Sequence, residues 1–434
     1  PSMSYFPKWQ VKTSGVIAPD ETLPANQTIA LGIQHVVAMF GSTILAPILM
    51  GFDPNVAVLM SGIGTLIFFL MVGGRVPSYL GSSFAFIGVV IAATGYAAGS
   101  GLNPNIEVAL GGIMACGIVY FLVGVIVTLT GVAWIEKLMP PVVTGAVVAV
   151  IGLNLAPTAC KSVGTSSFNA WITILSVLCV GGVAVYTRGF IQKLLILVGL
   201  LIAYVIYAIL TNGLGLGQPI DFSLISNAAW FGLPHFHHPE FRADAILLIV
   251  PVVIILIAEN LGHVKAVTAM TGRNLDPYMG RAFMGDGLAT IVSSSMGGTG
   301  VTTYGENIGV MAATRVYSTL LFPVAAALAI LLGFSPKFGA LIQTIPQPIL
   351  AGMSIVVFGL IAVSGARIWV ENHVDFSQNR NLIVAAVTLI LGAGDFSLSI
   401  GGFTIGGIGT ATFGAILLNA LMTPGERMGQ KKNS

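Results

Sequence analysis

Apolar runs of the length that crosses a bilayer, about 20 residues, recur from one end of this chain to the other. They fall near 27–50, 54–72, 106–129, 140–157, 170–185, 194–210, 245–264, 279–292, 316–332, 346–363, 381–393 and 403–421, and predict twelve helices. Two further apolar stretches are broken at their starts. Gly81-Ser82-Ser83-Phe84-Ala85-Phe86-Ile87 opens with small residues and alternates as a strand does before a short apolar run to Ala93. Gly297-Gly298-Thr299-Gly300-Val301-Thr302-Thr303-Tyr304-Gly305 does the same before a helix that begins at Glu306. Each reads as an extended piece followed by a half-helix. Irregular backbone at membrane depth survives only where protein or a watery cavity covers it, and a matched pair of interruptions points to a transport site.

The two halves of the chain repeat one another. Pro141-Val142-Val143-Thr144-Gly145 with Gly152 answers Pro348-Ile349-Leu350-Ala351-Gly352 with Gly359 at the same spacing. Counting the broken stretches as segments 3 and 10 gives fourteen, seven per repeat, and an odd number makes the second copy enter from the opposite side. The expectation is an all-α polytopic membrane protein with a 7+7 inverted repeat. Charge tests the count: of 18 Lys and Arg residues, only Lys161, Arg242 and Lys337 fall on the outer side when both termini are placed in the cytoplasm.

Composition then excludes other classes. Only 8% of residues are charged and 55% are hydrophobic, against about 25% charged in an ordinary soluble domain, so there is too little charge to coat a soluble globule. Net charge is +2 and the basic residues sit in short connections, leaving no face that tracks a phosphate backbone. Nucleic acid is excluded as a partner. Residues 1–26 lack an apolar core and are read as a cytoplasmic segment rather than a signal peptide. Cys116, Cys160 and Cys179 are read as buried small hydrophobes. The 54 glycines are read mostly as close-packing scaffold.

Against this background two acids stand out. Glu306 opens its half-helix, and Glu259 sits inside the run 245–262. A charge at membrane depth is costly unless neutralised or paired, which marks both as candidates for a polar site. Glu306 could equally be a helix N-terminal acid facing the macrodipole. His263, four residues after Glu259, shares its helical face and would orient or neutralise it, or relay a proton with it. His35 lies mid-span and would either bond the broken third segment or meet the ligand. Asn307 and Thr314 would bond neighbouring backbone and shape the half-helix, and Asp286, near the inner end of its span, is read as solvated. His235, His237, His238 and Glu240 lie in an outer loop and are read as solvated, with no metal site and no cofactor. No His-Glu-x-x-His motif or P-loop lysine occurs.

The stretch Glu306-Asn307-Ile308-Gly309, four residues, then Thr314-Arg315, together with Gln34-His35 in the first span, resembles the signature of the nucleobase-ascorbate transporter family. The likeness runs from Gln27 to Leu421, and Ala258-Glu259-Asn260-Leu261-Gly262-His263 and Val76-Pro77-Ser78-Tyr79-Leu80-Gly81-Ser82-Ser83 place it nearest the uracil permeases within that family. The resemblance implies a core domain of segments 1–4 and 8–11 (27–132 and 243–333), a gate domain of segments 5–7 and 12–14 (133–242 and 334–422) and a cytoplasmic tail 423–434. It implies a homodimer in an inner membrane and proton-coupled uptake of uracil or a related pyrimidine by alternating access. Glu259, Glu306, Phe84, Gly305, His263 and Phe358 would then bind the base, Phe358 standing where the family has Tyr. Glu259, His263 and His35 would carry the coupling proton, and Asn307, Tyr304, Thr314 and Gln34 would shape the site. Purine members usually carry Gln at the position of Glu306, so a purine, xanthine or urate carrier is the alternative, and an intramembrane enzyme a more distant one. The base's two N–H groups match two carboxylates, and Gly305 allows a flat ligand to approach backbone closely.

Overall fold

Lipid offers no partner to backbone N–H and C=O groups, so apolar runs that enter it must satisfy those groups internally, and here they do so as helices. The computed structural model describes residues 4–97, 99–401 and 403–432. The principal elements, in chain order, are α1 (Ala25–Met50), α2 (Pro54–Met71), β1 (Leu80–Ser82), α3 (Ile87–Thr94), α4 (Ile106–Thr130), α5 (Pro141–Asn154), α6 (Ser167–Tyr186) and α7 (Leu195–Ala208). There follow α8 (Ala243–Ile249), α9 (Val252–Thr271), α10 (Met279–Met296), β2 (Val301–Thr303), α11 (Gly305–Thr314), α12 (Leu321–Gly333), α13 (Pro336–Gln343), α14 (Gln347–Glu371), α15 (Asn379–Ala393) and α16 (Gly407–Lys432). Among the described residues nine helical stretches are long and apolar enough to cross a membrane, and a tenth results if α12 and α13, bent by 80°, count as one. The half-helices and the shorter or more polar α10 and α15 fall outside that measure.

Where the expected boundaries shift, a local contact explains it. The helix expected from 316 begins at Leu321, because Val316 is paired with Ile17 of the N-terminal segment through Ile17 N–H to Arg315 O (3.1 Å) and Tyr317 N–H to Ile17 O (2.8 Å). The helix expected from 403 begins at Gly407, because Phe403–Ile405 forms a hairpin with Leu398–Ile400. The strand-like alternation read through Ile87 holds only to Ser82; Phe84–Phe86 is already a 3-10 turn, opened by Ser83. Of the cysteines, Cys116 is buried, Cys179 half-buried and Cys160 exposed, which corrects the reading of all three as buried.

β1 and β2 pair antiparallel with Leu80 opposite Thr303, Gly81 opposite Thr302 and Ser82 opposite Val301. Two threonines seal the outer edges in the same way. Thr65 of α2 accepts from Leu80 N–H at 2.9 Å and donates to Leu80 O, and Thr290 of α10 accepts from Val301 N–H at 3.3 Å and donates to Val301 O at 3.2 Å. The outward N–H and C=O of Leu80 and of Val301 are thus each closed by a threonine from a neighbouring helix.

Around this pair α2, α4, α10 and α12 pack as one body, and α5, α6, α14, α15 and α16 as another. The crossing of α4 and α10 is built from facing glycines: a Cβ on Gly287 would lie 2.6 Å from Phe121 N and 2.9 Å from Gly117 O, and one on Gly117 would lie 3.1 Å from Gly287 O. Small residues bring helices close where lipid supplies no hydrophobic drive. Gly287→Ala should therefore lower stability by about 1–3 kcal/mol through overpacking. Gly182→Ala, where a Cβ meets nothing within 4 Å, should be neutral or stabilising. Thermal unfolding of the two variants in detergent checks both, and equal behaviour would refute the packing argument.

Candidate functional site

The ends of β1 and β2 deliver two half-helices beside the middle of α9, and most of the polar residues named from the sequence converge there. Glu259 is half-buried on α9, with Oε2 enclosed and without a hydrogen-bond partner among the described atoms. One turn on, His263 Nδ1 pairs with Thr303 Oγ1 of β2 at 2.9 Å. The imidazole is therefore held by the strand, which corrects the expectation that it bonds Glu259. Its Nε2 faces Gly305, whose Cβ, were one present, would lie 3.6 Å away.

Glu306 stands in the first turn of α11, where the exposed N–H groups of the helix favour a negative group. Ser42 Oγ of α1 donates to its Oε1 at 2.8 Å, while the residue as a whole is exposed to open space. Glu259 and Glu306 stand on α9 and α11, which pack against each other. Phe84 and Phe358 meet edge to face with ring centroids 6.4 Å apart, bringing the turn before α3 against α14. Tyr304 donates its hydroxyl to Ser82 O at 2.8 Å and so locks β1 to the start of α11.

Other expected residues serve the scaffold. Asn307 Nδ2 contacts both the carbonyl and the Nδ1 of His35 at 3.0 Å. His35 is fully buried against Phe322, and its partner belongs to the tenth segment, not the third. Thr314 donates to Val310 O at 2.8 Å, as expected of a backbone-bonding residue. Gln34 is half-buried with Oε1 unpartnered. Of the outer-loop histidines, His237 lies 3.6 Å from Glu107, and no group of three or more His, Cys, Asp or Glu residues suited to a metal occurs among the described residues.

Asp286 is the clearest correction. It is fully buried, and Asn260 Nδ2 donates to its Oδ2 at 2.8 Å. Asn260 also meets Tyr120 hydroxyl at 3.0 Å, and Thr303 donates to its Oδ1 at 3.4 Å. A continuous polar chain thus runs from Asp286 through Asn260 and Thr303 to His263. The glycines on either side of Asp286 suggested solvent, but Gly285 packs against Phe68 of α2 and Gly287 against Phe121 of α4. Ser42, Asn260 and Thr303 carried no signal of their own in the sequence beyond lying within or beside the segments that hold the acids.

Comparison with known proteins bears on what this arrangement belongs to. The chain matches the Permease family over residues 26–401. It is 68% identical over 426 residues to the putative pyrimidine permease RutG of Escherichia coli K12, covering 97% of this chain and 96% of that one. It is 42% identical to the uracil permease of Paenibacillus larvae over 93% of this chain and 96% of that one. Among solved structures, the transmembrane domain of the cyanobacterial bicarbonate transporter BicA superposes with a TM-score of 0.60 at 16% identity, over 85% of this chain and 96% of that chain. Murine Slc26a9, an anion transporter in the inward-facing state, gives 0.65 at 11% identity over 92% and 68%. At these identities the structural likeness concerns the fold alone.

The buried network makes its own prediction. Asn260→Ala leaves Asp286 and Tyr120 without their donor in a dry interior and should cost about 3 kcal/mol or more. Asp286→Asn keeps shape and should stay within about 1 kcal/mol of the parent. Unfolding by heat in detergent reads both, and a tolerated Asn260→Ala would show that Asp286 finds another partner.

Proposed function

The chain belongs to the Permease family, and from that premise we propose that it imports uracil or a related pyrimidine base across the inner membrane together with a proton. The observation that carries the reading is the pair Glu259 and Glu306: one carboxylate oxygen enclosed without a partner, and a second carboxylate open to space beside it. A pyrimidine such as uracil brings N–H donors to those acceptors and carbonyls to the backbone N–H groups at the start of α11. Phe84 and Phe358 provide aromatic faces for its ring, and Phe358 supports this through packing alone because it has no hydroxyl. The relatives named above are a pyrimidine permease and a uracil permease, which favours the pyrimidine over a purine, xanthine or urate.

Coupling follows from charge. Two carboxylates that feel each other inside a membrane are held together at least cost when a proton travels with them. Glu259 is the proton carrier in this reading, with His263 and its Thr303 partner at hand. The fourteen-segment inverted repeat draws support from pairs of contacts that the repeat interchanges: α4 with α10 and α2 with α12, and likewise Thr65 on Leu80 and Thr290 on Val301. The core and gate partition draws support from the two packed bodies. Alternating access is their relative movement. The open space beside Glu306, Gly309 and Gly359, against the tight outer contact of Gly88 with Asn154 and Ile408, supports a state open toward the cytoplasm.

Labelled uracil should accumulate in proteoliposomes under an imposed proton gradient, collapse with a protonophore and ignore excess xanthine. Glu259→Gln and Glu306→Gln should each abolish uptake, since the amide offers one neutral acceptor where the carboxylate offers two charged ones, and it cannot take up a proton. Uptake that xanthine blocks would replace the substrate, uptake indifferent to the gradient would remove the coupling, and unchanged uracil affinity in both Gln variants would end the site assignment.

A further inference from the structure

Ser42 occupies a place that the reading of the site does not use. Its hydroxyl donates to Glu306 Oε1 at 2.8 Å from a position only 3% exposed, while Glu306 itself faces open space. One carboxylate oxygen is thus held at the wall. The same stripe of α1 carries His35 seven residues earlier, two turns away, and His35 is bound by Asn307, the residue next to Glu306. Thr43, next to Ser42, accepts from Ser82 Oγ at 2.8 Å through its carbonyl. A single turn of α1 therefore sets both β1 and the acid at the head of α11.

The terminal torsion of a glutamate is broad and roughly two-fold, so a carboxylate held only by its backbone can turn either oxygen, or neither, toward a ligand. We propose that Ser42 is a positioning residue for base recognition: by engaging one oxygen of Glu306 it leaves the other aimed at the N–H of a planar cyclic imide. A hydroxyl suits this task because it adds no charge. A Lys or Arg in its place would neutralise Glu306 and compete with the ligand's N–H for the same lone pairs. The proposal rests on Glu306 as a ligand of the base, and its test separates the two.

Uracil binding to the purified full-length protein is measured by titration calorimetry, and uptake in proteoliposomes supplies KM and maximal rate. Ser42→Ala should raise Kd and KM at least about tenfold, the scale of a lost hydrogen bond to a charged group, with the maximal rate changed far less. Ser42→Thr, which keeps the hydroxyl, should recover most of the affinity. In infrared difference spectra the carboxylate band of Glu306, identified by its loss in Glu306→Gln, should shift in Ser42→Ala and return in Ser42→Thr. A purely structural serine would lower the unfolding temperature and leave that band where it was. Should Ser42→Ala not fold, Ser42→Cys, close in size and a weak donor, should show the same loss. Parent affinity in Ser42→Ala or in Ser42→Cys, or an unmoved band, overturns the proposal. Unchanged uracil binding in Glu306→Gln overturns the site assignment itself and is seen independently of any serine variant.

Discussion

Non-helical backbone at membrane depth is the constraint on which the rest of this structure depends. Each unpaired peptide group there costs several kcal/mol, so the break in two segments is possible only because each break closes the other. β1 and β2 pair with one another, Thr65 and Thr290 take the outward groups of Leu80 and Val301, and the Tyr304 hydroxyl takes Ser82 O. Once that pair exists, the half-helices α3 and α11 must begin near the centre of the protein, and a first-turn residue such as Glu306 is delivered to the middle of the membrane. The location of the acid is thus a consequence of sheet closure.

The acids that gather around this ladder share a second property. Among the described residues, Glu306 is met by the Ser42 hydroxyl and Asp286 by the Asn260 amide, and Glu259 keeps one oxygen with no partner. The ion pairs found among the described residues involve Lys12, His237, Arg242, Lys265, Arg273 and Arg367, none of which reaches these three acids. Neutral donors orient a carboxylate without cancelling its charge. A cation beside Glu259 or Glu306 would pair with the carboxylate and compete for its lone pairs with any N–H donor that entered. A site made of acids and hydroxyls stays dependent on what enters it.

Sequence reasoning read the spans well because apolar length is a property of single residues added together. The broken segments were legible for the same reason, since glycine, serine and threonine stand out in a hydrophobic run. Of the residues so singled out, His263 pairs with Thr303 of β2, Glu306 with Ser42 of α1, and Phe84 with Phe358. What escaped it depends on which helix faces which. Asp286 has glycine neighbours that look like solvent access, yet α2 packs against Gly285 and α4 against Gly287, and the acid ends up fully buried. Ser42 is one of many small residues in α1, and nothing in its neighbourhood announces that Glu306, 264 positions away, accepts its proton. His35 was expected to bond the broken third stretch or to meet the ligand; its partner is Asn307 of α11, a pairing across 272 positions that no local pattern announces.

Glycine shows the same limit from the other side, and it says something about motion. In most of the interior an added Cβ would strike a neighbour, as at Gly287 or Gly62, where Ile330 N would lie 3.2 Å away. Gly262 on α9, Gly309 on α11 and Gly359 on α14 are different: a Cβ on any of them would meet nothing within 4 Å. The first two sit three residues from Glu259 and Glu306, and the third follows Phe358. Glycine in a helix costs about 1 kcal/mol relative to alanine, and at these three positions the packing gives no return for it. What these positions leave is empty volume, in which the backbone of α9, α11 and α14 is open to close approach. Packed glycines hold α4 to α10, and these three unpacked ones lie within three residues of Glu259, Glu306 and Phe358.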